Sequence, residues 1–386
     1  MVKKILSLLL FIVLIFFVVA PSLLEKQFNL ISKHAPFIVS EEAQKLHRNL
    51  FIGDLHADST LWDRNLSNQH NFGHVDIPRL QKGNVALQMF TTVSKVPQGL
   101  NYERNETSAN DRITALAVIQ GWPVKTWNNL TERVIYQAKK IQRIAKKDSD
   151  NFMLVLSQSD LEKFINKRKS NPNLVGGLIG TEGSHALEGN LDNIQRLYSE
   201  GFRMMSLQHF FDNKLGGSLH GTTEQGLTKF GQEAIYEMLR LKIIIDVSHS
   251  SENVVKDVLN LTTQPLLVSH TGFNGHCPSP RNIDDSLMKE IAARGGLIGI
   301  GYWDAAVCGN TPREVASAIQ FGIKLVGVEH VALGSDFDGA VLSGFDTSEL
   351  IALTHELLEA GIEEPQIRLV MGENLLHFFE RNLPTK

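Results

Sequence analysis

The sequence predicts an α/β protein, a (β/α)8 TIM-type barrel with the layout of a metal-dependent hydrolase, behind an N-terminal hydrophobic segment. Three observations predict it. Short apolar runs alternate with longer amphipathic stretches along most of the 386 residues, the mark of repeated βα units around a parallel sheet. Most of those runs end in a residue able to bind metal or move a proton, and strand C-termini of such a barrel converge on one catalytic face. The length is also compatible with one unit, because α/β barrels routinely outgrow the usual domain size.

At the N-terminus, Lys3 and Lys4 precede an apolar stretch from Ile5 to Leu24 broken only by Ser7, Pro21 and Ser22. A positive start followed by such a run is a secretory signal or an uncleaved anchor, and about 20 residues suffice to span a bilayer. Cleavage after Ala20 would leave Pro21 first, which favours the anchor. Either reading exports the rest of the chain to the periplasmic or extracellular side, with the lysines left in the cytoplasm. Residues 1–24 are therefore read as signal or anchor, 25–48 as a polar, partly helical lead-in, and 49–386 as the catalytic barrel.

The expected barrel strands are Leu50–His56, Val85–Thr91, Leu174–Glu182, Arg203–His209, Ile243–His249, Pro265–His270, Gly296–Gly301 and Val331–Asp336. Another short run, Phe152–Leu156, falls in the insertion 101–173, which is expected to shape a pocket rim or an interface. Gly231–Leu241 and Ser286–Arg294 carry the helical apolar period of covering helices. Hydrophobic residues make up 42% and charged residues 21%, with a net charge of −4. Those charges are well mixed, and no basic stripe offers a nucleic-acid surface. Cys277 and Cys308 are too few for a tetrathiolate metal site and form no CxxC pair. A disulfide and two separate thiols both fit.

His56, Glu182, His209, His249, His270 and Asp336 each close one of the apolar runs. One buried histidine is unremarkable; six such residues at one recurring position are not. His56 and Asp58, two apart on a strand, face the same way and can share an ion. Glu182, between glycines, is costly to bury as a carboxylate unless a cation neutralises it, and its two oxygens can bridge two metals. His249 and His270 supply imidazoles for the second ion. Such nitrogen and oxygen ligands suit two zinc ions in an open catalytic site, with manganese or cobalt as alternatives. A hydroxide bridging them would be the nucleophile. Asp336 is the candidate proton acceptor and donor, with Asp338 as a rival on the same face. His209 would stabilise the oxyanion. Arg281 would grip a substrate carboxylate, or is a solvated loop arginine.

These residues resemble the membrane (renal) dipeptidase family of the amidohydrolase superfamily. The segments that carry the likeness are DLHAD (54–58), GTEGSHAL (180–187), LQHFFDNKLGGSLHG (207–221), IDVSHSS (245–251), VSHTG (268–272), RNIDD (281–285), GSDFDG (334–339) and MGENLLHFFE (371–380). The resemblance implies two zinc ions on His56, Asp58, Glu182, His249 and His270, with Glu182 bridging. It also implies substrate contacts by His209, Arg281 and Asp336, dipeptide substrates with a free C-terminal carboxylate, and homodimers. The pattern is similar to bacterial exported members. The sequence ends Arg381–Lys386 without the hydrophobic tail that a C-terminal lipid anchor needs, so attachment to the membrane is expected through residues 5–24. Two other readings stay open: a related binuclear-metal amidohydrolase acting on a specialised secreted peptide, a lactone or a β-lactam, and a non-catalytic envelope barrel.

Overall fold

Eight parallel strands form the centre of the molecule: β1 Ile52–Ala57, β2 Val85–Val93, β3 Val175–Glu182, β4 Phe202–Ser206, β5 Ile244–Asp246, β6 Leu267–Thr271, β7 Leu297–Ile300 and β8 Val331–Leu333. Each pairs with its neighbours in chain order, β2 joins β3 directly, and Leu333 of β8 lies opposite Asp54 of β1, so the sheet closes into a barrel. The structure is a computed structural model and describes residues 2–386, apart from the side chains at positions 8–10, 12–14 and 16.

All the expected strands are present, because strands buried on both faces read as nearly continuous apolar runs. The short Phe152–Leu154 strand adds to the first half of β3, where β4 does not reach. Three strands end three residues short of expectation. β4, β5 and β8 stop at Ser206, Asp246 and Leu333, so His209, His249 and Asp336 stand on the loops that follow rather than on the strands. The reason is visible at Asp336, whose φ of 58° lies in the left-handed region that a ladder residue cannot adopt. Release from the ladder lets the backbone turn the side chain into the mouth.

The lower barrel is filled by Leu55, Leu178, Met204, Ile244, Leu267 and Leu297, closed from below by Leu375, Phe378 and Phe379. Those last three lie at i, i+3 and i+4 of helix Asn374–Asn382, the spacing that puts one apolar stripe on the barrel floor. Gly53 admits this helix: a Cβ there would sit 2.9 Å from Leu375. Outside, helices Lys229–Arg240 and Asp285–Ala293 occupy the two stretches read as covering helices. Thr228 and Asp284 cap them by accepting from Gly231 N and Ser286 N.

The lead-in contains helix Glu41–Arg48, capped by Ser40. Just upstream, Leu30–Ile31 pairs in parallel with Leu342–Ser343 on the loop after β8. Residues 2–28 form one helix. Among the described residues no helix is long and apolar enough to cross a membrane; part of the expected anchor falls on side chains outside the description. Cys277 and Cys308 are joined in a disulfide, tying the loop after β6 to the loop after β7.

Candidate metal centre

The arrangement at the barrel mouth is organised around one atom. Oε1 of Glu182 lies 3.5 Å from His56 Nε2, 3.3 Å from His209 Nε2, 3.4 Å from His249 Nε2 and 3.4 Å from His270 Nε2. Asp58 Oδ1 is 3.6 Å and Asp336 Oδ1 3.9 Å from His56 Nε2. Residues separated by up to 280 positions in the chain are thus brought together, and all of them are buried. β1 is irregular between Asp54 and Ala57, and Asp58 lies past its end, where its carboxylate accepts from Thr91 Oγ1 at 2.6 Å.

The rings are aimed from behind. Asp246 accepts from the hydroxyls of Ser248 and Ser269 at 2.6 and 2.7 Å. Ser269 Oγ in turn lies 3.1 Å from His56 Nδ1 and 2.9 Å from His270 Nδ1, so both rings turn Nε2 inward. His209 Nδ1 donates to the Lys95 carbonyl at 3.1 Å, which fixes its tautomer the same way. Such outer hydrogen bonds orient metal ligands. Asp54 ties the strands beneath, accepting from His56 N, Gln88 Nε2 and Ser335 N.

The donor set fits divalent cations. His56 Nε2 is buried without a hydrogen-bond partner, and His249 Nε2 faces His270 Nε2 at 3.0 Å; protein atoms alone leave such nitrogens poorly satisfied. Burial, with Asp58 adding to it, pushes the Glu182 carboxyl up to about 8. Burial also drives Asp336 well above the usual carboxylate range, against the pull of His56 and with help from Glu182 and Asp58. His249 and His270 are held well below the usual imidazole value by burial and by the positive groups around them. Cations among these groups would favour carboxylates and neutral rings together. Two sets of ligand atoms lie within 4.8 Å of one another: His56, Glu182, His270 and Asp336, and Glu182, His209 and His249. Both contain Glu182. His249 Nε2 also lies 3.0 Å from His270 Nε2, and Asp58 Oδ1 3.6 Å from His56 Nε2, so the groups overlap.

Asp338, the rival to Asp336, points elsewhere. It accepts from Ser59 Oγ at 2.5 Å, from His74 N at 2.6 Å and from Arg64. Its pKa is lowered, the Arg64 guanidinium and His74 outweighing burial. Arg281 is no solvated loop residue. It is 1% exposed, and it donates to the carbonyls of Ser248 and His270 at 2.9 and 2.7 Å.

Sequence reasoning missed several neighbours. Tyr102, from the insertion, accepts from Trp303 Nε1 at 3.0 Å, and its carbonyl meets His220 Nδ1 at 2.9 Å. His220 and Asp246 stand inside motifs quoted above, so proximity to them was the available signal. Tyr102 lies in NYERN (101–105), one of the segments similar to bacterial exported members, but in an irregular stretch with no period to place it. A cavity of about 930 Å³ opens over the cluster, reached by Glu182, His209, Arg281 and Asp336 from below and by insertion residues such as Ile113 and Leu116 from the side.

Comparison with known proteins agrees with this architecture. The family model for membrane dipeptidases matches residues 40–383. The chain is similar to a solved metallo peptidase described as the dipeptidase AC, at 23% identity and a TM-score of 0.69, covering 86% of this chain and 99% of the other. It is similar to a metallo peptidase from Rhodobacter sphaeroides liganded with a phosphinate mimic of the dipeptide L-Ala-D-Ala, at 22% identity and a TM-score of 0.66, with coverage of 86% and 99%. The probable dipeptidase PvdM from Pseudomonas aeruginosa matches at 16% identity and a TM-score of 0.73, with coverage of 89% and 98%. At these identities the structural likeness shows the fold.

Proposed function

Because the chain belongs to the membrane dipeptidase family of peptide-bond hydrolases, we propose that it hydrolyses dipeptides bearing a free C-terminal carboxylate with two zinc ions. His56 and Asp58 would hold one ion, His249 and His270 the other, and Glu182, reached by all four rings, would serve both. Manganese or cobalt would suit the same donors. The observation that carries this reading is the Glu182 oxygen ringed by four imidazole nitrogens at 3.3 to 3.5 Å.

Bound ions of this kind supply an acidified water and polarise a carbonyl. The chain's own groups do the rest. Asp336 accepts a proton at its carboxylate and returns it to the leaving amine. His209, with Nδ1 committed to Lys95 O, turns Nε2 toward the substrate carbonyl; burial holds its pKa at about 4, so it becomes a donor to the oxyanion only as that developing charge draws a proton onto the ring. Arg281, fixed by two backbone carbonyls, presents its guanidinium to the substrate carboxylate.

The disulfide supports an oxidising compartment. Exposed apolar side chains on helix Val2–Phe28, including Ile5, Leu6, Phe11 and Val18, support export with the N-terminal segment held at a membrane.

The test is bound-metal analysis followed by assay of L,L- and L,D-dipeptides with and without chelator. Two equivalents of metal and chelator-sensitive cleavage are expected. A metal-loaded chain that opens lactones or β-lactams and leaves every dipeptide intact would overturn the reading.

A further inference from the structure

We infer that Leu24 and Phe28, upstream of the family-matched region, form a working wall of the catalytic cavity that selects a bulky apolar group on the amino-terminal side of the substrate. Both residues line the cavity that Glu182, His209, Arg281 and Asp336 reach, whereas the family match begins at residue 40. This deepens the dipeptidase reading and rests on it for the orientation of the substrate.

The segment is built into the barrel rather than laid against it. Glu25 is 1% exposed and pairs with Arg64, which also pairs with Asp338. A buried chain of charge therefore links the segment to the loop that carries Asp336. Asn29 Oδ1 accepts from Ala340 N at 3.0 Å, and His74 Nε2 donates to Leu30 O at 3.0 Å. With Glu25 and Asn29 pinned, the side chain between them has little freedom. Phe28 stacks on Trp62 with ring centroids 6.1 Å apart, and the Arg112 guanidinium covers it at 5.3 Å. Trp62 is itself fixed, donating from Nε1 to the Asp338 carbonyl at 2.7 Å. All of these contacts are made by residues downstream of Ala20.

The position of the wall sets what it can touch. Trp62 follows β1, Ile113 and Leu116 follow β2, and Val341 follows β8, while Arg281 follows β6. In a closed eight-stranded barrel β2 and β6 stand on opposite sides. A substrate whose carboxylate is held by Arg281 thus extends its amino-terminal residue toward Phe28. The cavity of about 930 Å³ is near the top of the roughly 300–1,000 Å³ range of small-molecule sites, and two small residues leave its apolar side unfilled.

The experiment uses the full chain, wild type and the variants Phe28→Ala, Phe28→Leu and Leu24→Ser, with Ile38→Ser as an exposed control. First, kcat/KM is measured for Phe-Ala and Ala-Ala. The ratio should fall by about 10-fold in Phe28→Ala, as expected for loss of an apolar contact surface in a pocket, and recover in large part in Phe28→Leu; an unchanged ratio overturns the proposal. Second, binding of phenylalkanoates from phenylacetate to 6-phenylhexanoate is followed by tryptophan fluorescence in chelator-treated protein, where no turnover is needed. Affinity should rise with chain length in wild type and in Ile38→Ser, and rise less in Phe28→Ala and Leu24→Ser. The same length dependence in all of them, or none in wild type, overturns the wall. If no dipeptide is cleaved yet the length dependence is lost in Phe28→Ala, the dipeptidase reading fails and the wall stands.

Discussion

The two ends of the barrel use burial for opposite purposes. At the floor, Leu178, Leu267 and Leu297 meet Leu375 and Phe378 in a layer without charge. At the mouth, Glu182, Asp58 and Asp336 are buried among four histidines. The strand that supplies Leu178 to the floor supplies Glu182 to the mouth four residues later, on the same face. Burial at the floor stabilises by removing apolar surface from water, at roughly 25 cal/mol per Å². Burial at the mouth costs stability, because each charge loses solvent that only a cation or an opposite charge replaces. Fold and site are therefore separable here: damage to one end should spare the other.

Removing the shared carboxylate should disable the mouth alone. Glu182→Gln should lower kcat/KM by about 1,000-fold or more, the scale for removing a group that acts only in the chemistry, with loss of bound metal. Circular dichroism should stay near wild type, and the melting temperature near that of chelator-treated wild type, because metal binding itself stabilises the folded state. Metal retained with full activity would remove Glu182 from the centre. The complementary cut at the floor is Phe378→Ala, expected to cost about 3–5 kcal/mol of stability. Metal stoichiometry per folded molecule and KM should hold, as measured on protein kept below its lowered melting temperature. A Phe378→Ala protein that folds well but binds no metal would show that the two ends are coupled after all.

A smaller effect tests the mouth's rim. Arg281→Lys keeps the charge but loses the planar fork. It should raise KM for dipeptides with a free carboxylate by about 10- to 100-fold, the value of one bidentate contact at roughly 1.4–2.8 kcal/mol. Metal content should be unchanged, and C-terminally amidated dipeptides should show little difference between wild type and variant. Equal losses on both substrates would move Arg281 from carboxylate recognition to a purely structural role.

How much of this was legible in the chain follows from the same contrast. The floor and the strand order could be read because apolar continuity is a local property: Leu174–Glu182 announces a buried strand without reference to any other segment. The ligands could be read because most of them close such runs. What lay hidden depends on pairs distant in sequence. Asp246 orients His56 and His270 through Ser269, a relation no spacing reveals. Tyr102 reaches the site from an insertion with no periodicity. Glu25 looks like an ordinary polar residue after an apolar run until its partner Arg64 is seen. The strand ends were misjudged at His209, His249 and Asp336, because a residue that leaves the ladder to point into the mouth carries no sign of that turn in its neighbours.

Acid should separate the two ends as well. His47, on helix Glu41–Arg48 beside the start of β2, is 4% exposed and has no part in the metal centre. Its Nδ1 contacts Thr354 Oγ1 at 2.8 Å. Burial lowers its pKa from 6.5 to about 4, the Gly83 backbone opposing in part. The folded protein thus holds this ring neutral while the unfolded chain protonates it near pH 6.5. As pH falls from about 6.5 toward 4, the unfolded state takes up the proton first, and stability should decline by at most on the order of 3 kcal/mol; above that window the contribution is complete, and below it no more is lost. His47→Gln should flatten this part of the pH dependence of the melting temperature relative to wild type under the same metal loading. The metal ligands titrate identically in both proteins, so the difference between the two curves belongs to the floor side. Parallel curves would mean that the acid sensitivity of the fold resides at the mouth.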